Sequence, residues 1–245
     1  MNCQVPMNCA FIVLAVSLGF TAACGARNPA NPPVMPPSKI TDFSFLYARN
    51  CSGCHGLDGK GGAAIGLGDP VYLAFADDAT IRRVTAYGVA GTSMPAFAQH
   101  SGGMLTDEQI DVVVNGIRTR RAKSNILRDA KAPPYAAQGP GDPKRGADVY
   151  ATYCSSCHGA EGHGGKRASS IVDGSYLALV SDQYLRTTVI VGRRELGAPD
   201  WRGNIPGTPM APEDVSDVVA WLVAQRVQFP GQPYSTGLQT EGGIR

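Results

Sequence analysis

A chain of 245 residues with 22 Lys+Arg against 20 Asp+Glu carries a formal net charge of only +2, which excludes a nucleic-acid partner recognised by gross charge. Hydrophobic residues at 43% suffice for packed cores, while 17% charged residues with 30 Gly and 18 Pro indicate one or two small, loop-rich domains. Seven Cys is an odd number, so a simple disulfide framework leaves one unpaired.

The first element is the apolar run AFIVLAVSLGFTAA at 10–23. A membrane-spanning helix needs about 20 apolar residues, so the run reads as the core of a signal peptide over 1–23. Cys3 and Cys9 leave with it, and Met7 is an alternative start. In TAACG, Cys24 follows small residues directly, which resembles the lipobox of bacterial lipoproteins. The resemblance implies cleavage before Cys24 and a diacylglyceryl group on its thiol; the alternative is an ordinary secreted chain cut a few residues away. Pro-rich residues at 24–39 read as a stiff tether.

Next come two copies of one pattern, CSGCH at 51–55 and CSSCH at 154–158. C-x-x-C-H is the attachment motif of c-type haem: Cys51 and Cys54, or Cys154 and Cys157, add to the porphyrin vinyl groups, and His55 or His158 follows as proximal iron ligand. A zinc knuckle would need a closed tetrahedral site from each motif, and a redox CxxC has no use for the His. The copies stay in register beyond the motif. At an offset of 103, Tyr47 meets Tyr150 and Gly59, Gly61 and Gly62 meet Gly162, Gly164 and Gly165. At 104, Asp69 meets Asp173, Arg82 meets Arg186, Gly88 meets Gly192, Pro95 meets Pro199 and Phe97 meets Trp201. Such a register means a duplicated domain.

In each copy a helix is expected to run into the motif, at about 43–50 and 145–153, with Phe45, Leu46, Val149 and Tyr150 toward the core. HGLDGKGG and HGAEGHGG follow, where Gly lets backbone lie close against a flat ring. A middle helix is expected at 80–87 and 181–191. The last helix has a hydrophobic residue before its cap and an acidic first turn, in LTDE and MAPE, with Pro first in the second copy. Its apolar face is Ile110, Val113, Val114 and Ile117, repeated as Val215, Val218, Val219 and Leu222.

Both halves resemble the class I cytochrome c fold. The resemblance implies an all-α chain of two tandem domains, each wrapped around one haem c, at 40–120 and 143–229, joined by a linker at 121–142 and followed by a tail at 230–245. It also implies a Met on the loop before the last helix as sixth ligand, here Met94 in GTSMPAF; His/Met ligation raises the potential and suits electron transfer. The second copy has Ala198 at that place. Met210 is the alternative ligand, although by count it aligns with Leu105, the staple before the helix cap. His163 is a weaker candidate, and an open or water-bound position is a third outcome.

The +2 conceals an uneven distribution. Residues 40–117 carry 8 acidic and 4 basic side chains, 146–229 carry 9 and 7, and 118–145 carry 2 and 8. The connector is a basic strip that either wraps the domains through ion pairs or docks an acidic partner or anionic headgroups. Its segment APPYAAQGPGDP reads as an extended spacer. The expected function is a non-enzymatic dihaem electron carrier, in the periplasm or on the outer face of the cytoplasmic membrane, similar to cytochromes of the c4 kind and to oxidase-associated dihaem cytochromes. Its partners would be a quinol-oxidising complex and a terminal oxidase or other acceptor, with the membrane engaged through a lipid anchor. The alternative is a haem enzyme or dehydrogenase subunit whose second haem meets a substrate or gas, with His100 or Trp201 in its site.

Overall fold

The computed structural model describes residues 34–123, 125–203, 205–227 and 230. The expected signal peptide, Cys24 and residues 231–245 lie outside the described residues. The chain divides after Lys39; before that point the described residues hold one 3₁₀ turn, Pro37–Lys39. From Ile40 onward the described residues are helical, with only isolated β-bridges between extended segments. The first half contains α1 (Phe43–Asn50), α2 (Ser52–His55), α3 (Pro70–Phe75), α4 (Asp78–Tyr87) and α5 (Asp107–Arg121). The second repeats them as α6 (Pro143–Tyr153), α7 (Ser155–His158), α8 (Gly174–Leu179), α9 (Asp182–Val191) and α10 (Pro212–Ala224).

Local chemistry starts these helices where it does. Asp42 accepts from the Phe45 N–H at 2.7 Å, and Asp142 accepts from Lys144 at 2.8 Å with Pro143 at the first helical position. Thr106 and Gln109 form a reciprocal capping box at α5. Ala211 has no acceptor to offer, so only half the box remains at α10, where Asp214 accepts from the Ala211 N–H at 2.8 Å. The short helices α3 and α8 were not expected from apolar spacing, being too brief to show a period. Their signal was the Asp at 69 and 173, each capping the helix that follows it.

In each half the first helix crosses the last. The apolar faces expected for α5 and α10 are all buried. In the first half the closest approach sets a glycine against an aromatic ring: Gly116 on α5 meets Phe43 on α1, where a Cβ would lie 2.0 Å from the ring. Under the repeat Phe43 becomes Gly146 and Gly116 becomes Trp221, and a Cβ on Gly146 would lie 2.1 Å from Asp217 O and 2.8 Å from the Trp221 Cβ, so here the glycine is demanded first by the backbone of α10. Two rings would overfill the crossing and two glycines would leave it hollow. Trp221 then stacks on Tyr150 at 4.2 Å.

Two expectations are corrected. Phe45 is 44% exposed, with the Arg49 guanidinium over its ring at 5.5 Å; Phe43, Leu46 and Tyr47 form the buried face of α1. The connector is also docked, not a free spacer, and the cause is a buried cation. In the first half Arg82 spans Asp107 and Asp111 on the surface. Its counterpart Arg186 is 3% exposed, and the two carboxylates have become Pro212 and Ser216. Arg186 therefore donates to the carbonyls of Pro134 and Tyr135 in the connector and to Ser216 Oγ, since a buried charge needs hydrogen-bond partners.

Candidate functional site

The attachment motifs sit on α2 and α7, single turns that follow α1 and α6 with a change of direction at Cys51 and Cys154. The His55 N–H donates to Cys51 O and the His158 N–H to Cys154 O, both at 3.0 Å. One turn brings positions i, i+3 and i+4 to a common side, so two thiols and an imidazole share it in each copy. Gly56 and Gly159 follow at φ +80° and +81°, left-handed backbone that favours glycine. Their carbonyls accept from the Tyr47 and Tyr150 hydroxyls. The Gly-rich loop folds back on the motif so tightly that a Cβ on Gly62 would lie 2.1 Å from Cys54 O. Glycine is thus required by backbone approaching backbone, a nearer demand than the flat ring expected from sequence.

Each histidine is oriented by a backbone carbonyl. His55 Nδ1 lies 2.7 Å from Ile65 O and His158 Nδ1 lies 2.8 Å from Ser169 O. A carbonyl accepts only, so the proton sits on Nδ1 and the lone pair is left on Nε2. His55 Nε2 is buried with no hydrogen-bond partner, an arrangement that wastes a polar atom unless a metal takes it. Burial also lowers the His55 pKa, the Ile65 carbonyl opposing it, so the ring is neutral. Burial, with the neighbouring thiol adding, pushes Cys51 up to about 12 and Cys154 up to about 11. None of these four thiols is in a disulfide. The donor set and the glycine turn fit a haem carried on C-x-x-C-H.

Around His158 the structure brings together Cys154, Cys157, Ala198, Trp201 and Met210 as walls of one cleft. It holds about 910 Å³ of space, open solvent at its mouth included. The second-copy assignments by count agree with the backbone. The Val89 N–H donates to Met94 O and the Arg193 N–H to Ala198 O, both at 3.0 Å. Leu105 N–H donates to Phe97 O at 2.8 Å and Met210 N–H to Trp201 O at 2.9 Å. Ala198 therefore stands in the place of Met94, and Met210 in that of Leu105, each of the latter pair buried. Met94 itself is half-buried on its loop.

The remaining candidates separate. His163 is a 75% exposed side chain 4.0 Å from Glu161, and His100 is exposed beside Tyr87 and Asp107. Trp201 is buried, with Arg202 over its ring at 4.8 Å. Asp200, in the same cleft, would be raised by burial, but hydrogen bonds from Arg202 outweigh this and hold its carboxyl below the ordinary range. Sequence reading missed Arg193 and Arg194, which tie this loop to the first copy. Arg193 donates to Gly62 O at 2.9 Å and Arg194 pairs with both Asp69 oxygens at 3.1 and 3.2 Å. The signal lay in the repeat, where Val89 and Ala90 have become two arginines.

Comparison with known proteins agrees with the geometry. The chain is 29% identical over 168 residues to a cbb3-type cytochrome c oxidase subunit FixP of Azorhizobium caulinodans, covering 66% of this chain and 53% of that protein. It is 29% identical over 149 residues to the FixP of Sinorhizobium medicae, covering 56% and 46%. The chain thus spans about half the length of the curated relatives it matches. Among solved structures, a chain of the Kuenenia stuttgartiensis reducing HAO-like protein complex Kustc0457/Kustc0458 aligns at a TM-score of 0.43 with 16% identity, over 79% of this chain and 100% of that one. The family model described as cytochrome c oxidase, cbb3-type, subunit III matches residues 39–115 and 141–222, one stretch for each attachment motif. With both motifs on matched turns and the His55 imidazole nitrogen unpaired in the first, the chain is a c-type cytochrome of tandem class I domains and belongs to this family.

Proposed function

We propose that the chain holds two haem c groups and carries electrons one at a time between membrane redox complexes. The observation that supports this most is the paired anchoring of His55 and His158 through Nδ1, which presents Nε2 of each beside two thiols. Cys51, Cys54 and His55 would hold the first group, with Met94 as a further donor to its iron, and Cys154, Cys157 and His158 would hold the second. When bound, the haem iron supplies a one-electron couple. The protein's part is to hold the imidazoles neutral and fixed, to wall the groups with buried apolar side chains and to keep water from them, so that little reorganises when charge changes.

The curated relatives are named as oxidase subunits, and partners of that class, a quinol-oxidising complex and a terminal oxidase or other acceptor, suit a protein with an attachment motif in each half. No helix among the described residues is long and apolar enough to cross a membrane. We assign the chain to the extracytoplasmic side, where thioether attachment takes place, with the thiol of Cys24 as its lipid anchor, no catalytic residue of its own and no nucleic-acid partner. The test is a pyridine haemochrome assay with stopped-flow reduction. The expected result is two haem c per chain, both reduced by one-electron donors. A value of one, or loss of neither group in Cys51→Ser and Cys154→Ser, would overturn the assignment.

A further inference from the structure

The two copies part where the loop before the last helix passes the middle helix. Ala198 takes the Met94 place in detail: beyond the shared backbone hydrogen bond, a Cβ on Gly88 would meet Met94 O at 2.7 Å, and one on Gly192 would meet Ala198 O at 2.7 Å. A methyl group has no lone pair to offer a metal. Nor is the loop free to bring in another donor, because Arg193 and Arg194 hold it to Gly62 and Asp69. The thioether in the cleft, Met210, is tied by its N–H to Trp201 O and is 7% exposed in the staple position that Leu105 occupies in the first copy.

The middle helix changes in the opposite sense. Leu185, Thr188 and Val189, the i, i+3 and i+4 positions of one face of α9, and the cap residue Gly192 line the cleft that contains His158. Thr188 corresponds to Val84, so a hydroxyl has replaced a methyl. Its Oγ1 is buried with no hydrogen-bond partner. A threonine inside a helix ordinarily turns its hydroxyl back to the preceding turn, as Thr85 does to Ile81 O at 2.8 Å. Thr188 does not, and an unpaired buried hydroxyl is destabilising. The second copy thus lacks the thioether that Met94 offers the first and carries a buried, unpaired hydroxyl on a residue that lines the cleft, and such changes in donors and distal polarity favour an exogenous ligand over electron transfer alone.

Resting on the haem assignment above, we propose that the cleft beside His158 takes a small diatomic ligand, of the carbon monoxide or cyanide kind, at the sixth position of the second haem, with Thr188 Oγ1 donating a hydrogen bond to it. Binding forms one coordinate bond from a ligand lone pair. The iron keeps its oxidation state, and with carbon monoxide no proton moves.

The experiment uses the full-length holoprotein. Titrating the reduced protein with carbon monoxide, read by its optical spectrum, is expected to convert one of the two haems, and Ala198→Met to abolish that conversion. Thr188→Val is expected to keep the carbon monoxide stoichiometry, to shift the C–O stretch in the infrared and to weaken cyanide binding to the oxidised protein about fivefold, with Thr188→Ser restoring both. Wild-type protein that binds no carbon monoxide, while Met210→Ala binds it, would overturn the proposal and make Met210 the ligand. An unchanged C–O stretch and cyanide affinity in Thr188→Val would remove the hydroxyl from the site. Failure of the haem assignment itself is read separately, as fewer than two haem c per chain in the haemochrome assay.

Discussion

His55 and His158 owe their orientation to a single backbone carbonyl each, and burial raises the pKa of the first thiol of each motif, Cys51 and Cys154. Such residues were legible in the sequence because the chemistry is local: two Cys and a His at fixed spacing need only one helical turn. Met94 and Met210 show where that legibility ends. Both are methionines beside prolines or caps; residue count sets Met210 with the staple Leu105, and the backbone hydrogen bonds agree with that count. At this scale Met94→Ala is expected to expose the first haem, so that the reduced variant binds one more carbon monoxide per chain than the wild type in an optical titration. An unchanged stoichiometry would remove Met94 from the ligand set.

Among the helices, the contact between first and last decides how each half closes. Gly116→Ala forces a methyl into the Phe43 ring, and overpacking of this kind costs about 1–3 kcal/mol. Denaturant unfolding of Gly116→Ala should show that loss, and Phe43→Leu in the same chain should return part of it by making room. In the second half the contact is held by a charge. Asp217, almost fully buried, accepts from the Asp142 N–H at 2.6 Å and from Arg145 at 2.8 and 3.1 Å. Hydrogen bonding from Arg145 lowers its pKa from 3.8, burial opposing and the Asp142 N–H assisting. A depressed carboxylate stabilises fully above its ordinary value, and that stability disappears as pH falls through the depressed one. Asp217→Asn is therefore expected to cost about 1 kcal/mol at neutral pH, less than the roughly 1.5–3 kcal/mol of a charged hydrogen bond because Arg145 is largely exposed, and to approach the wild type as pH falls below 3.8 and through the depressed value. A gap between the two melting curves that persisted into acid would contradict it.

For the molecule as a whole, the two halves of the repeat are joined through their loops. Tyr184 donates to Ala63 O at 3.3 Å, Arg193 to Gly62 O and Arg194 to Asp69, so the loop that carries Ala198 rests on the Gly-rich loop after His55. The basic connector is spent largely inside the fold. Arg118 binds Asp78 and the carbonyls of Leu73 and Ala76, Arg120 and Arg121 lie over the Phe43 and Tyr47 rings, and Arg145 holds Asp217. Lys123, Arg128, Lys131 and Lys144 remain exposed. Paired replacement of Arg193 and Arg194 by Ala is expected to leave stability within about 1 kcal/mol, as partly exposed pairs contribute little, while amide exchange quickens at 60–64 and 193–198. Unaltered exchange at both loops would show that something else joins the domains.

The sequence by itself determined the duplication, the turns that bring two Cys and a His together and the apolar faces of the last helices, because each depends on spacing within one or two turns or on a repeat register. It also contained, unread, the exchange of Phe43 and Gly116 for Gly146 and Trp221. Tertiary structure alone decided which face of α1 is buried, that Arg186 draws the connector onto α9, and that Thr188 keeps an unpaired hydroxyl in the cleft of His158. Those outcomes depend on what lies across the fold from each residue, often more than 40 positions away, and no local pattern carries that information.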